Sequence, residues 1–132
     1  MENNITITES DYIKLCDLVR IEKQKHTTEV NNLSYLGAEI KRAKRVKDVE
    51  ADSDFVSMNS TVEVIDLDTK REMKVKLVYP NEADFRKGSV SVLSMFGSAL
   101  LGYKVGSIIS YQAPRGNKKV KIKKIYQHEE VV

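Results

Sequence analysis

The 132-residue sequence contains no tryptophan, one cysteine and two prolines, and it has no long run of apolar residues. The single cysteine, Cys16, excludes an internal disulfide and is typical of a protein from a reducing compartment. Without a long apolar segment the chain offers no bilayer-spanning helix, and its polar start lacks the apolar run of a signal peptide. We therefore expect a cytoplasmic protein that does not bind membranes.

Residue types that build catalytic and metal sites are also scarce. The two histidines, His26 and His128, lie in separate polar stretches, and no cysteine–histidine spacing suits a metal ion. No glycine-rich phosphate loop precedes a helical pattern. Cys16 occupies an apolar position of a helical pattern, which favours a buried, unreactive thiol over a nucleophile. The sequence predicts no catalytic residue, no metal and no cofactor.

Charged residues make up 31% of the chain, yet the net charge is only +3. A surface of mixed sign argues against a dedicated DNA-binding protein, which usually presents a strongly basic field. Five basic residues nevertheless form what we call the basic cluster: Lys41, Arg42, Lys44, Arg45 and Lys47. Charge alone favours a solvated helix face, and the alternative is contact with nucleic acid or with an acidic protein surface.

Two helical patterns occupy the first third of the chain. Thr8 is the predicted N-cap of the first pattern, and Thr27 or Thr28 that of the second. A polar run separates the two patterns, and its ionisable members are Lys23, Lys25, His26 and Glu29. We expect residues 1–50 to form an antiparallel helical hairpin, a short coiled coil with this run at its tip. An acidic linker then leads to a second domain, residues 54–132.

The second domain carries the period-2 patterns of β-strands. Strands are predicted over residues 61–66, 72–79, 108–111 and 118–126, and lysines of the last are expected to guard an edge of the sheet. Between them, residues 89–106 predict a strand, a break at Ser94–Gly97 and a short helix from Ser98 to Leu101. The glycines of this stretch are attributed to tight turns. The fold class is therefore α+β, with a mostly antiparallel sheet and one short helix.

The same stretch, together with Tyr111–Gly116, resembles the signature of the C-terminal domain of Gre-type (GreA/GreB) transcript cleavage factors. Residues 54–62 and 77–80 are similar to the Rnk branch, the regulator of nucleoside diphosphate kinase. The resemblance implies an FKBP-like domain and bacterial RNA polymerase as the partner. It also implies a docking surface that comprises Ser94, Met95, Phe96, Gly97, Tyr111, Pro114, Arg115 and Gly116.

In Gre factors, acids at the hairpin tip help to hold a magnesium ion that activates water for RNA cleavage. The tip of this chain is mainly basic, and Glu29 is its one acid. We therefore expect a monomeric, non-catalytic regulator of transcription elongation. It would bind RNA polymerase at the secondary channel, compete with Gre factors and contact nucleic acid within the transcription complex. An active Gre-type cleavage factor and an FKBP-like isomerase or chaperone module are the alternatives.

Overall fold

The computed structural model describes residues 5–25, 30–47 and 55–126. The chain divides into two compact units, which comprise residues 1–52 and 53–132. That residues 1–50 and 54–132 fold as separate domains stays a prediction. Helices and strands occur in both units, in agreement with the mixed fold class expected from the sequence.

In the first unit, two helices lie between two short strands along the chain. The elements are β1 (Thr6–Thr8), α1 (Glu9–Lys25), α2 (Val30–Arg42) and β2 (Lys44–Val46). The Asp11 N–H donates to the Thr8 hydroxyl at 3.2 Å, which confirms the prediction that Thr8 is the N-cap of α1. The two helices contact each other, and Leu15 and Leu36 are fully buried. Residues 26–29 lie outside the described part of the chain, so the antiparallel hairpin stays a prediction.

The basic cluster does not form one helix face, and that expectation is wrong. Helix α2 ends at Arg42, and the Lys44 N–H donates to the Ile5 carbonyl at 2.8 Å instead of continuing the helix. Lys44 and Arg45 therefore lie in β2, which pairs in parallel with β1, and Lys47 comes after the strand. The helical pattern of the sequence extended to Ala43, one residue past the end of α2. From Lys44 onward the hydrogen bond to Ile5, which is distant in sequence, sets the backbone conformation.

Within residues 55–126, the second unit contains a five-stranded sheet, one short α-helix and two single turns of 3-10 helix, Pro80–Glu82 and Phe85–Lys87. Its elements are β3 (Thr61–Asp66), β4 (Glu72–Val78), β5 (Ser89–Ser91), α3 (Met95–Leu100), β6 (Ile108–Ala113) and β7 (Gly116–Tyr126). The strand order is β5-β4-β3-β7-β6, with β4 and β5 parallel and the other pairs antiparallel. Val62, Leu77, Leu100 and Ile122 are among its fully buried core residues.

Two predictions for the second unit are corrected by the sheet order and by the limits of α3. Strand β7 lies between β3 and β6, so its lysines do not guard an edge, and the edges are β5 and β6. Helix α3 begins at Met95, not at Ser98, because Ser94 caps the helix three residues earlier than expected. Met95, Phe96 and Gly97 are therefore helical residues and not a loop.

Candidate functional site

A serine that was predicted to belong to the docking surface starts helix α3. The Gly97 N–H donates to the Ser94 hydroxyl oxygen at 3.0 Å, and the Ser94 hydroxyl donates to the Ser91 carbonyl at 2.7 Å. A single side chain thus caps the helix and joins it to the end of β5. This double contact fixes the position of the first turn of α3, which carries Met95 and Phe96.

Gly97 is required by a close approach of two backbone segments. A β-carbon at this position would lie 2.0 Å from the carbonyl oxygen of Ser91. The expectation that the glycines of this stretch serve turns is therefore wrong for Gly97, whereas Gly102 does adopt a left-handed φ of +84°. Helix α3 can lie this close to β5 because position 97 has no side chain.

Phe96 and Tyr111 form a stacked aromatic pair on the second unit. Their ring centroids are 4.6 Å apart and the ring planes are inclined by 27°. Such pairs stabilise a protein by about 0.5–1.5 kcal/mol beyond the contribution of their buried surface area. Phe96 comes from α3 and Tyr111 from β6, and both are half-buried. Met95, adjacent to Phe96 in sequence, is 37% exposed. We call Met95, Phe96 and Tyr111 the α3–β6 patch.

An ion pair that the sequence did not indicate adjoins Tyr111. Lys118 is directly opposite Tyr111 in the β6–β7 register, and its Nζ lies 2.7 Å from the buried carboxylate of Asp66. Asp66 also accepts hydrogen bonds from the N–H groups of Asp68 and Thr69, at 2.8 and 3.1 Å. An aspartate two residues before a turn is typical of an Asx turn. This sequence signal could have predicted that the Asp66 carboxylate bonds to the backbone of the turn.

The pKa values of three side chains in this region are shifted. The hydrogen bond from Lys118, supported by those from the turn, lowers the pKa of Asp66 from 3.8 to about 2. The same hydrogen bond raises the pKa of Lys118. Burial raises the pKa of Tyr111, so its hydroxyl stays protonated at neutral pH. Beside the patch, both members of the ion pair are therefore charged at neutral pH.

The remaining predicted docking residues lie at the turn between β6 and β7. Pro114 and Arg115 are exposed in this turn, and Gly116 begins β7 with a φ of +128°. Ala113 pairs with Gly116 across the turn. The three residues are thus joined to Tyr111 by strand β6, which ends where the turn begins.

Only part of the predicted hairpin tip falls within the described chain. Lys23 and Lys25 are exposed in the last turn of α1, whereas His26 and Glu29 lie outside the described residues. Glu22 is buried, and its carboxylate lies 3.7 Å from the Lys25 ammonium. Among the described residues, no three histidines, cysteines, aspartates or glutamates are grouped so that they could hold a metal ion.

Members of the basic cluster make separate contacts within the first unit. The Arg45 guanidinium lies 4.4 Å from the centre of the Tyr12 ring, a cation–π contact. Arg42 forms an ion pair with Glu39 on α2. Lys41 borders a groove of about 440 Å³ between the two helices. The groove is also lined by Cys16, so this thiol is half-buried and not buried as expected.

The fold and the patch define a two-unit protein whose second unit carries a capped helix against a five-stranded sheet. None of the helices in the described ranges combines the length and apolarity needed to cross a membrane. The family model for the C-terminal domain of the transcription elongation factors GreA and GreB matches residues 51–127. This range contains the whole α3–β6 patch. The chain therefore belongs to the GreA/GreB C-terminal domain family.

Individual relatives agree with this assignment. The transcription elongation factor GreA of Thermodesulfovibrio yellowstonii is 33% identical over 92 residues, which cover 70% of this chain and 58% of that protein. GreA of Rhodospirillum rubrum is 38% identical over 77 residues, which cover 58% of this chain and 49% of that protein. The chain thus spans about half of the length of these curated relatives.

Solved structures are similar over a larger share of the chain. The prokaryotic transcription elongation factor GreA/GreB from Nitrosomonas europaea has a TM-score of 0.77 and 31% identity, and the match covers 95% of this chain and 99% of that chain. The Gfh1 protein of Thermus thermophilus, at 20% identity and a TM-score of 0.51, shares the fold alone.

Proposed function

We propose that this protein regulates transcription elongation by binding bacterial RNA polymerase at the secondary channel through its second unit. The observation that carries the proposal is the α3–β6 patch, which lies inside the range matched by the GreA/GreB family model. Methionine and aromatic side chains are enriched at the centres of protein interfaces. The Ser94 cap and the stacked rings hold this patch in place before binding, which lowers the entropy cost of docking.

We further propose that the protein acts by occupying its site and does not promote RNA cleavage. A hydrolytic magnesium site needs closely spaced carboxylates. Near the tip, Glu22 is buried beside Lys25, and the exposed Lys23 and Lys25 repel a cation. The described parts of the two helices, 17 and 13 residues, span about 25 and 20 Å at 1.5 Å per residue, which supports a short reach.

The short helices also support placing the chain in the Rnk branch of the family, and the sheet with one short helix supports the FKBP-like description.

The second candidate function is that of an active cleavage factor, which is favoured by the relatives named as GreA. An isomerase or chaperone function would rest on fold likeness alone, and a shared fold does not carry a function.

The docking proposal is tested with one exposed residue of the patch. Met95→Glu places an acid in the first turn of α3, where the helix dipole tolerates it, so the fold is expected to be kept. Its affinity for core RNA polymerase should fall about tenfold or more, the loss typical of a central interface residue. Met73→Glu on β4 is the matched control, because Met73 has a similar exposure of 39%. Equal affinities for the two variants would contradict docking through the patch.

Cleavage is tested on a stalled, backtracked transcription complex that carries labelled RNA. With magnesium and the wild-type protein the RNA should keep its length, while an authentic GreA factor shortens it in a parallel reaction. Shortening by the wild-type protein would overturn the non-catalytic proposal and support the second candidate, while leaving the proposed docking intact. The two experiments therefore separate binding from chemistry.

A further inference from the structure

The β6 edge of the sheet lacks the features that usually protect an edge strand. Strand β6 contains six residues, none of them charged and none a proline, and its register with β7 is continuous. The opposite edge, β5, is only three residues long. Lysines, prolines, bulges and shortness are the common means by which proteins prevent an edge from pairing with another strand. Within residues 5–25, 30–47 and 55–126 no strand pairs with the outer side of β6, so this edge is open to a further strand.

The hydrogen bonds around β6 show which of its backbone groups face away from the sheet. The Ile122 N–H of β7 donates to the Ser107 carbonyl at 2.9 Å, so residue 107 faces β7. In an antiparallel ladder the backbone groups of alternate residues turn towards the same neighbour. Residues 109, 111 and 113 therefore face β7, while Ile108, Ser110 and Gln112 direct their N–H and C=O groups outward.

The residues that carry these outward groups are themselves exposed. Ile108 is 60% exposed, and Ser110 and Gln112 are exposed as well. The three residues supply three donors and three acceptors with the spacing of a β-strand, which is the pattern that an added strand pairs with. Tyr111 lies on the opposite face of β6 from these side chains, because successive residues of a strand alternate between faces.

Lysines next to this edge define the chemistry of the strand that would pair with it. Ile108 is opposite Lys121 and Ser110 is opposite Lys119, and directly opposed side chains share a face of the sheet. Both lysines are exposed, and within the described residues neither forms an ion pair. A strand added to β6 would lie about 10 Å from β7, two strand spacings away. Extended lysine and glutamate side chains can meet across that distance.

We propose that the β6 edge binds an extended acidic segment of a partner protein by strand addition, with its acids facing Lys119 and Lys121. Strand β6 itself contains no acid, so pairing with a second copy of this chain would leave these lysines unmatched. Strand addition at the β6 edge is separate from polymerase docking through the α3–β6 patch. It depends on the chemistry of the bound segment and not on which protein supplies that segment.

The test uses two synthetic eight-residue peptides, one alternating threonine with glutamate and the other threonine with lysine. Titration is followed by NMR, and amide exchange is measured at Ile108, Ser110 and Gln112. The glutamate peptide should bind about tenfold more tightly than the lysine peptide, since each exposed charge pair shifts an equilibrium by about two- to fivefold. Binding should slow exchange at these three amides. No slowing, or equal affinity for both peptides, would overturn the proposal.

Charge-reversed variants identify the lysines that set the preference. In the double variant Lys119→Glu/Lys121→Glu the preference should reverse, so that the lysine peptide binds more tightly. The control Arg86→Glu/Lys87→Glu makes the same change in net charge at two exposed positions outside β6 and β7 and should leave the preference unchanged. An equal response of both variants would overturn the role of Lys119 and Lys121. Slowed exchange at the same amides in concentrated protein without peptide would show self-pairing and would also overturn the proposal.

Discussion

Replacing Gly97 by alanine should destabilise the second unit, although alanine is the better helix former. Alanine in place of glycine is favourable in a helix by about 1 kcal/mol. Against this, the new β-carbon would lie 2.0 Å from the Ser91 carbonyl oxygen and 3.1 Å from the Ser94 hydroxyl oxygen. Forcing the two backbones apart costs about 3 kcal/mol, and loss of the Ser94 cap costs about 1 kcal/mol. The expected net loss is about 3 kcal/mol.

Gly37→Ala is the matched control, because its β-carbon would meet Val19 at an ordinary distance of 3.7 Å. Gly37 lies within α2, so this substitution should stabilise the protein by about 0.5–1 kcal/mol. Urea unfolding should show a midpoint more than about 1 M lower for Gly97→Ala. Because the two glycines lie in different units, amide exchange in β3 and β7 reports on the second unit by itself. A Gly97→Ala protein as stable as the wild type would refute the close-approach argument.

Three further predictions concern charge and capping. Because the pKa of Asp66 is lowered, its ionised form stabilises the fold above pH about 4, and this contribution is lost as the pH falls towards 2. In the variant Asp66→Asn the Tm should therefore fall less steeply with decreasing pH in this range. Ser94→Ala should cost about 1 kcal/mol in urea unfolding, whereas Ser94→Thr, which retains a hydroxyl that can both cap the helix and donate to the Ser91 carbonyl, should cost less. Reversing the charges of Lys44, Arg45 and Lys47 should weaken polymerase binding and reduce its salt dependence, and unchanged affinity with unchanged stability would assign them to ordinary surface.

Elements with local signals could be predicted from the sequence. The N-cap Thr8 and the strand Thr61–Asp66 were predicted correctly, because a capping hydroxyl and a two-residue period act between near neighbours. Strand β2 could not be predicted, because it forms when the Lys44 N–H bonds to the Ile5 carbonyl, 39 residues earlier. The edge position of β6 likewise depends on the order of strands in the sheet. The residue pattern of one strand does not indicate which strands will lie beside it.

The candidate site was predictable where it coincides with a contiguous motif. The signature around Ser94–Gly97 and Tyr111 included both members of the aromatic pair that the structure brings together. Asp66 and Lys118 were missed as a pair because they are 52 positions apart in sequence. Only the pairing of β3 with β7, in which Asp66 lies opposite Val120, brings the Lys118 side chain to the carboxylate. The structural role of Gly97 was also missed, because in a sequence a glycine required by a close backbone approach looks the same as a glycine required by a turn.

The most direct test of the central claim is competition with a Gre factor on RNA polymerase. A stalled complex with labelled RNA receives a fixed amount of an active GreA factor and increasing amounts of this protein. We predict that saturating wild-type protein suppresses the GreA-dependent shortening of the RNA, and that Met95→Glu protein requires about tenfold more to do so. Undiminished GreA-dependent shortening at saturating wild-type protein would contradict the claim that the protein occupies the shared site.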